Sequence, residues 1–272
     1  MDNGLPRDIP SSDESVVDSP ASLKVLFHPR KENANALLSD GTLKVTIEVE
    51  PNIKLGGRLH KASAAAPVIL FFHGNGEIAA DYDKIGSFYT RRDMHILVVD
   101  YRGYGTSDGT PTMSKMLGDA IVIQQSLDKV FEDHGIRPSG IFVMGRSLGS
   151  APAIEVAVNA PPGRLSGLII DSGFAETSVL LERLGAPTES QIPDRHNNIS
   201  KMKRLQVPLL IIHGDLDSLI PSSEASRLLE HANCDEKELL LIHGAGHNSL
   251  LCMGMNLYFD AIERFVKRGD QA

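Results

Sequence analysis

The run IFVMGRSLGSAPAIEVA, residues 141–157, changes character at its middle. Ile141, Phe142, Val143 and Met144 are consecutive large apolar residues, the mark of a strand covered on both faces. Residues 149–159 read as a helix, with Pro152 close to the first turn, where proline costs little. Between them lies Gly145-Arg146-Ser147-Leu148-Gly149, a G-x-S-x-G pattern. A buried strand that turns sharply through a serine into a helix gives that serine an exposed, rigid mount. The glycines keep Cβ atoms out of the turn, and the helix amino end brings partial positive charge beside any oxyanion that develops. A hydroxyl is a poor nucleophile at neutral pH, so a nearby base is needed as well.

A second match, GTSDG at 105–109, follows its strand at a distance and continues as Gly, Asp and Pro. That is loop chemistry, so Ser147 is the candidate and Ser107 is not. Outward from residue 141 the same strand signature recurs in PVILFFHGNG (67–76), MHILVVDYRG (94–103), LSGLIID (165–171), VPLLIIHG (207–214) and KELLLIHG (237–244). LKVTIEVEP (43–51) instead alternates apolar and polar, as an antiparallel strand does, with GRLHKA (57–62) as its hairpin partner. Helical text fills 80–91, 113–133, 222–232 and 256–268. Strands alternating with helices predict an α/β fold, a mostly parallel twisted sheet with helices on both faces. Chemistry in such sheets gathers at the carboxyl ends of the strands.

A serine nucleophile on this architecture takes its acid and then its base from later strand ends, in the order Ser, Asp or Glu, His. LLIIHGDLD offers Asp215 and Asp217; LLLIHGAGHN offers His243 and His247. His247 lies beyond the strand on a glycine-rich loop that can reach back, whereas His243 lies at the strand end. Asp217 lies deeper in its loop; Asp215 suits a local turn bond. Asp171, at the end of LSGLIID, is a further candidate acid. Two backbone N–H groups should face the oxyanion. Leu148 supplies one, directly after the serine, and Asn75 in the HGNG turn supplies the other.

With these residues in place the chain resembles the α/β-hydrolase superfamily. More closely, it is similar to small-lid serine hydrolases that include eukaryotic protein depalmitoylases and bacterial esterase-like proteins. HGNG (73–76), DYRGYGTSDG (100–109), GRSLGSAP (145–152), LLIIHGDLD (209–217) and GAGHN (244–248) carry the resemblance, which spans roughly residues 40–268. It implies Ser147, Asp217 and His247 as a catalytic triad, and Asn75 and Leu148 as the oxyanion hole. The chain departs from that pattern at two places. The depalmitoylases carry a cysteine-rich, lipid-modified amino terminus, and no cysteine occurs here before Cys234. Arg146 stands where many relatives have His or Gln, positioned either for a substrate anion or for an ion pair.

Residues 1–22, rich in Asp, Ser and Pro, read as a mobile acidic tail. A single domain is expected over 23–272, with a short lid insert at about 172–206. ETSVLLERLG (176–185) makes one amphipathic helix there; Val179, Leu180 and Leu184, with Gly74 and Arg146, are candidate pocket residues. DRHNNISKMKR (194–204) is basic. The predicted reaction is hydrolysis of small carboxylic esters through an acyl-enzyme, with no cofactor; thioesters and amides fit the same residues. The alternatives are a non-catalytic protein that binds a small ligand in the same pocket, and an interaction protein acting through its tail.

Across 272 residues the net charge of −8 argues against a nucleic-acid or anionic-membrane binder. No run is long and apolar enough to span a bilayer. Two cysteines make no disulfide framework. A secretory leader is not evident in the first twenty residues. The expected location is the cytoplasm. The ten histidines form no metal-ligand motif, so no metal is expected.

Overall fold

The apolar runs become the strands of one eight-stranded sheet: β1 (Thr42–Glu50), β2 (Ile53–His60), β3 (Val68–Phe72), β4 (His95–Val99), β5 (Ile141–Arg146), β6 (Gly167–Asp171), β7 (Leu209–Gly214) and β8 (Lys237–Ile242). Their order in space is β1-β2-β4-β3-β5-β6-β7-β8. β2 is antiparallel to both neighbours, and every pair from β4 to β8 is parallel. This computed structural model describes residues 17–33, 38–39, 41–186 and 197–269. The expectations for residues 1–16 and for the middle of the lid insert, 187–196, fall outside the described residues.

Successive strand residues point to opposite faces. Val68, Leu70 and Phe72 of β3 enter one core, and Ile69 and Phe71 enter the other. β5 divides in the same way, Ile141 and Val143 against Phe142 and Met144. Both faces are covered, which is why these strands read as unbroken apolar runs rather than alternating ones. The first face carries α1 (Pro20–Leu26), α3 (Met113–Asp133), α4 (Ser150–Asn159), α5 (Thr177–Arg183), α6 (Asn198–Met202) and α7 (Ser222–His231). The second carries α2 (Gly86–Thr90) and α8 (Leu250–Gly269).

Three expectations change on contact with the structure. β8 reads as a fully buried strand, yet it is the sheet edge and most of it is partly or fully exposed, with Leu241 45% exposed. The final helix begins at Leu250, earlier than its periodicity suggests, and breaks at Gly254 (φ −148°, ψ 39°). A Cβ at Gly254 would stand 2.6 Å from Ile242, so α8 packs onto the end of β8 only through a glycine. The described part of the stretch read as tail, from residue 17, is also packed into the fold. Val17 is buried, Ser19 caps α1, and the Asp18 carboxylate accepts from Met113 N–H (2.7 Å) at the start of α3.

Candidate active site

β5 ends at Arg146, a single 3-10 turn covers Ser147–Gly149, and α4 starts at Ser150. Ser147 has φ +52°, a left-handed conformation that costs a non-glycine residue about 1–2 kcal/mol. Two glycines make the turn possible. A Cβ on Gly145 would lie 2.1 Å from the Gly149 carbonyl oxygen, and one on Gly149 would lie 2.1 Å from the Phe72 carbonyl oxygen. The elbow therefore packs directly against the end of β3, where the HGNG turn begins. The Ser150 hydroxyl donates to the Ser147 carbonyl (2.7 Å) and closes the first turn.

The structure brings Ser147, His247 and Asp217 together. His247 Nε2 lies 2.9 Å from Ser147 Oγ, and His247 Nδ1 lies 2.7 Å from Asp217 Oδ2. In a neutral ring, an Nδ1–H given to the carboxylate leaves Nε2 free to accept the serine proton. The other Asp217 oxygen accepts from the N–H groups of Leu219 (2.9 Å) and Ile220 (2.8 Å). Burial raises the Asp217 carboxyl, but the hydrogen bonds from His247 and Ile220 and the charges of His247 and His213 outweigh it. The group is held below the ordinary carboxylate range.

The rival candidates have other partners. Asp215 pairs with the exposed His243 (2.7 Å) and accepts from Gly244 N–H (2.7 Å), a local turn role. Asp171 accepts from the Tyr258 hydroxyl (2.8 Å) and the Ser172 hydroxyl (2.9 Å). Ser107 is buried, where its hydroxyl accepts from Gly56 N–H (2.9 Å).

In the HGNG turn the Asn75 side chain is anchored three ways. Its Oδ1 accepts from His28 N–H and from the Tyr104 hydroxyl, both at 2.8 Å, and its Nδ2 donates to His28 Nδ1 (2.8 Å). Among the described residues its backbone N–H has no partner. His73 is fully buried; its Nδ1 donates to the Gly74 carbonyl (2.8 Å), and its own carbonyl accepts from Tyr101 (2.6 Å).

Arg146 turns out to be a structural hub. Nη1 pairs with Glu77, and Nη2 donates to the His247 carbonyl and to Asn248 Oδ1, both at 2.9 Å. Burial opposes its charge, but Asp171 and Glu77 more than offset this and hold its pKa above the ordinary arginine value. Arg146 and His247 also line a cavity of about 270 Å³, with Phe71, Tyr82, Tyr89 and Tyr258 among its walls. None of the other pocket candidates lines this cavity. Leu180 is buried in the core, Leu184 packs against it, Val179 is half-buried, and Gly74 belongs to the HGNG turn. The reason is that α5 lies on the opposite face of the sheet from the cavity wall. In the basic stretch at 194–204, Lys201 is paired with Glu155 (2.6 Å).

Sequence reasoning missed Glu77, His213 and Tyr258. Glu77 follows Gly74 by three residues, the spacing at which a carboxylate caps a turn, and it accepts from Gly74 N–H (2.8 Å). His213, fully buried, donates Nε2–H to the Ile220 carbonyl (2.7 Å) and lies 3.5 Å from Asp217. Among the described residues, no group of three or more His, Cys, Asp or Glu side chains is arranged to hold a metal ion.

A mostly parallel sheet with this strand order, bearing a serine elbow and loops that meet above it, is the architecture of an α/β-hydrolase, and the family match and the relatives assign the chain to that class. The family model described as serine aminopeptidase, S33, matches residues 63–193 and 194–251, and the chain belongs to that family. It is 31% identical over 205 residues to the human alpha/beta hydrolase domain-containing protein 17B, covering 74% of this chain and 66% of the relative. An uncharacterized protein of Mycobacterium tuberculosis is 27% identical over 242 residues, 86% of this chain and 82% of its own length. The esterase Pf2001 of Pyrococcus furiosus superposes with a TM-score of 0.72 at 20% identity, covering 89% of this chain and 98% of that one. Est1E of Butyrivibrio proteoclasticus, solved with ferulic acid, superposes with a TM-score of 0.68 at 19% identity over 84% of this chain and 100% of that one. Among the described residues, no helix is long and apolar enough to cross a membrane.

Proposed function

We propose that the protein is a serine hydrolase that cleaves carboxylic esters of small acyl substrates through an acyl-enzyme. The observation that carries this is the series Asp217–His247–Ser147, at 2.7 and 2.9 Å, ending on a serine in a left-handed turn. His247 Nε2 takes the hydroxyl proton as Ser147 Oγ attacks the acyl carbonyl. Asp217 holds the ring and stabilises the imidazolium. The N–H groups of Asn75 and Leu148 receive the oxyanion. The imidazolium returns its proton to the leaving alkoxide, the C–O bond breaks, and the acyl group stays on Ser147. A water, deprotonated by the same imidazole, then releases the acid and restores the serine.

The description of Pf2001 as an esterase supports esters as the substrate class. Thioesters and amides need no different residues. The S33 family description makes aminoacyl amides a required comparison. We place the reaction in the cytoplasm, where Cys234 and Cys252, both free thiols, would stay reduced.

Two measurements test the reading. A fluorophosphonate probe should label the protein, and Ser147→Ala should abolish the labelling. p-Nitrophenyl esters, acyl-thioesters and aminoacyl-nitroanilides of graded size then rank the leaving groups, with small esters expected to turn over fastest. No labelling would leave a ligand-binding protein as the surviving reading. Labelling with nitroanilides as the best substrates would replace the esterase by an aminopeptidase.

A further inference from the structure

His247 lies on the loop that follows β8, and the Asn75 N–H lies on the loop that follows β3. Backbone hydrogen bonds tie the His247 loop to the loop after β7, but among the described residues none joins it to the Asn75 loop, so side-chain contacts link base and oxyanion donor. Arg146, covalently joined to Ser147, reaches both loops. Its Nη2 donates to the carbonyl of His247 itself and to Asn248 Oδ1. Its Nη1 pairs with the Glu77 carboxylate. Glu77 in turn accepts from Gly74 N–H (2.8 Å) and from the Tyr82 hydroxyl (2.7 Å), and Gly74 immediately precedes Asn75. An unbroken chain of hydrogen bonds, most of them charge-assisted, thus joins the peptide beside the oxyanion donor to the peptide of the base.

We propose that Arg146 is a positioning residue for acyl transfer, its guanidinium fixing the His247 loop to the Asn75 loop around Ser147. The inference rests on the roles given above to Ser147, His247 and Asn75. Arginine suits the task because a planar fork serves acceptors on two loops at once, whereas a lysine is a point charge. A receptor for a substrate anion is the poorer reading. Both terminal nitrogens already have acceptors, the side chain is only 15% exposed, and an incoming anion would have to displace Glu77.

The experiment measures kcat and KM on p-nitrophenyl acetate and butyrate for wild type, Ser147→Ala, Arg146→Gln, Arg146→Lys, Glu77→Gln and the Arg146→Gln/Glu77→Gln pair. Misplacing reacting groups by about 1 Å costs about 100-fold. Arg146→Gln should therefore lower kcat about 10- to 100-fold and leave KM within about threefold. Arg146→Lys should recover part of the loss. The double variant should be no worse than about twofold below Arg146→Gln alone, because both substitutions cut one chain. Circular dichroism and thermal unfolding report the fold; should Arg146→Gln not fold, Glu77→Gln carries the test through the same kcat and KM readout. The clamp is overturned if folded variants keep kcat within about twofold of wild type. It is equally overturned if KM rises at constant kcat, or if the double variant shows the product of the single losses. Turnover that survives Ser147→Ala overturns the function reading and the clamp with it. Turnover that needs Ser147 but ignores Arg146 and Glu77 overturns the clamp alone.

Discussion

Asp217 has to stay charged in a site where its side chain is fully buried, and the surrounding donors make that possible. Two backbone N–H groups fix one oxygen, so the other is committed to His247. Asp217→Asn keeps the size and some of these bonds but removes the charge, and an amide N–H can replace the oxygen that His247 faces. The ring then favours the wrong tautomer, with its proton on the nitrogen that faces Ser147. We expect kcat to fall about 10³- to 10⁴-fold with little change in KM or thermal stability, measured on a p-nitrophenyl ester. A loss below about tenfold would mean that another carboxylate orients the ring; Asp171 is then the candidate. The three residues of this series are legible in the text because each stands just past a strand end in a fixed chain order. Arg146, Glu77 and Tyr258 are not legible in the same way. Their roles arise where α8 and the loops after β3 and β8 pack together, and no local spacing encodes that meeting.

At the scale of elements, the elbow illustrates how a backbone contact decides sequence. α4 can approach the end of β3 only because Gly149 lacks a Cβ. The methyl of Gly149→Ala would meet backbone, which cannot swing aside, so this variant should unfold at least about 3 kcal/mol more easily or fail to accumulate. Gly118 provides the contrast within another helix. It is exposed in the middle of α3, and an added Cβ would have nothing within 4 Å. Gly118→Ala should raise stability by about 0.5–1 kcal/mol, since alanine loses less backbone entropy in a helix. Urea denaturation of both variants checks the pair. The same logic explains what the sequence reading of elements could see. Apolar runs locate β3 to β7 because burial on both faces leaves a compositional mark. The edge position of β8 leaves only the charged pair Lys237 and Glu238 at its start as a mark, since the LLLI that follows is as apolar as a central strand, and the topology shows which strand comes last.

For the whole molecule, the weak side under acid should be the antiparallel margin of the sheet, far along it from β7 and β8. His60 on β2 is held down to about 4 from 6.5, by burial first and by the charge of Arg58 second. His95 on the neighbouring β4 is also lowered by burial. The Nε2 atoms of both rings are buried, and among the described residues they have no hydrogen-bond partner. His95 Nδ1 accepts from Ala62 N–H (2.9 Å), and His60 Nδ1 lies 3.0 Å from the Thr42 hydroxyl. A histidine whose folded pKa is depressed binds fewer protons in the folded chain than in the unfolded one. Its contribution is therefore intact above about 6.5 and is lost as pH falls toward about 4. Carboxylates held low act in a lower window; Glu50, drawn to about 2 by hydrogen bonds from Arg102 and Lys115, is one of them. Asp83 lies 3.9 Å from His60, and burial raises its carboxyl, which opposes the histidine effect over part of the same range. The decisive comparison is thus between wild type and His60→Gln rather than along the wild-type curve alone. From pH 7.5 to 4.5, wild type should lose about 1–3 kcal/mol more stability than His60→Gln, allowing for partial solvent screening. Parallel stability curves from urea titrations at each pH would show that His60 is as easily protonated in the folded chain as in the unfolded one. Because the hairpin of β1 and β2 would loosen first, hydrogen exchange at pH 5 should quicken there before it does in β5 or β7, and the elbow should outlast the hairpin as the pH falls.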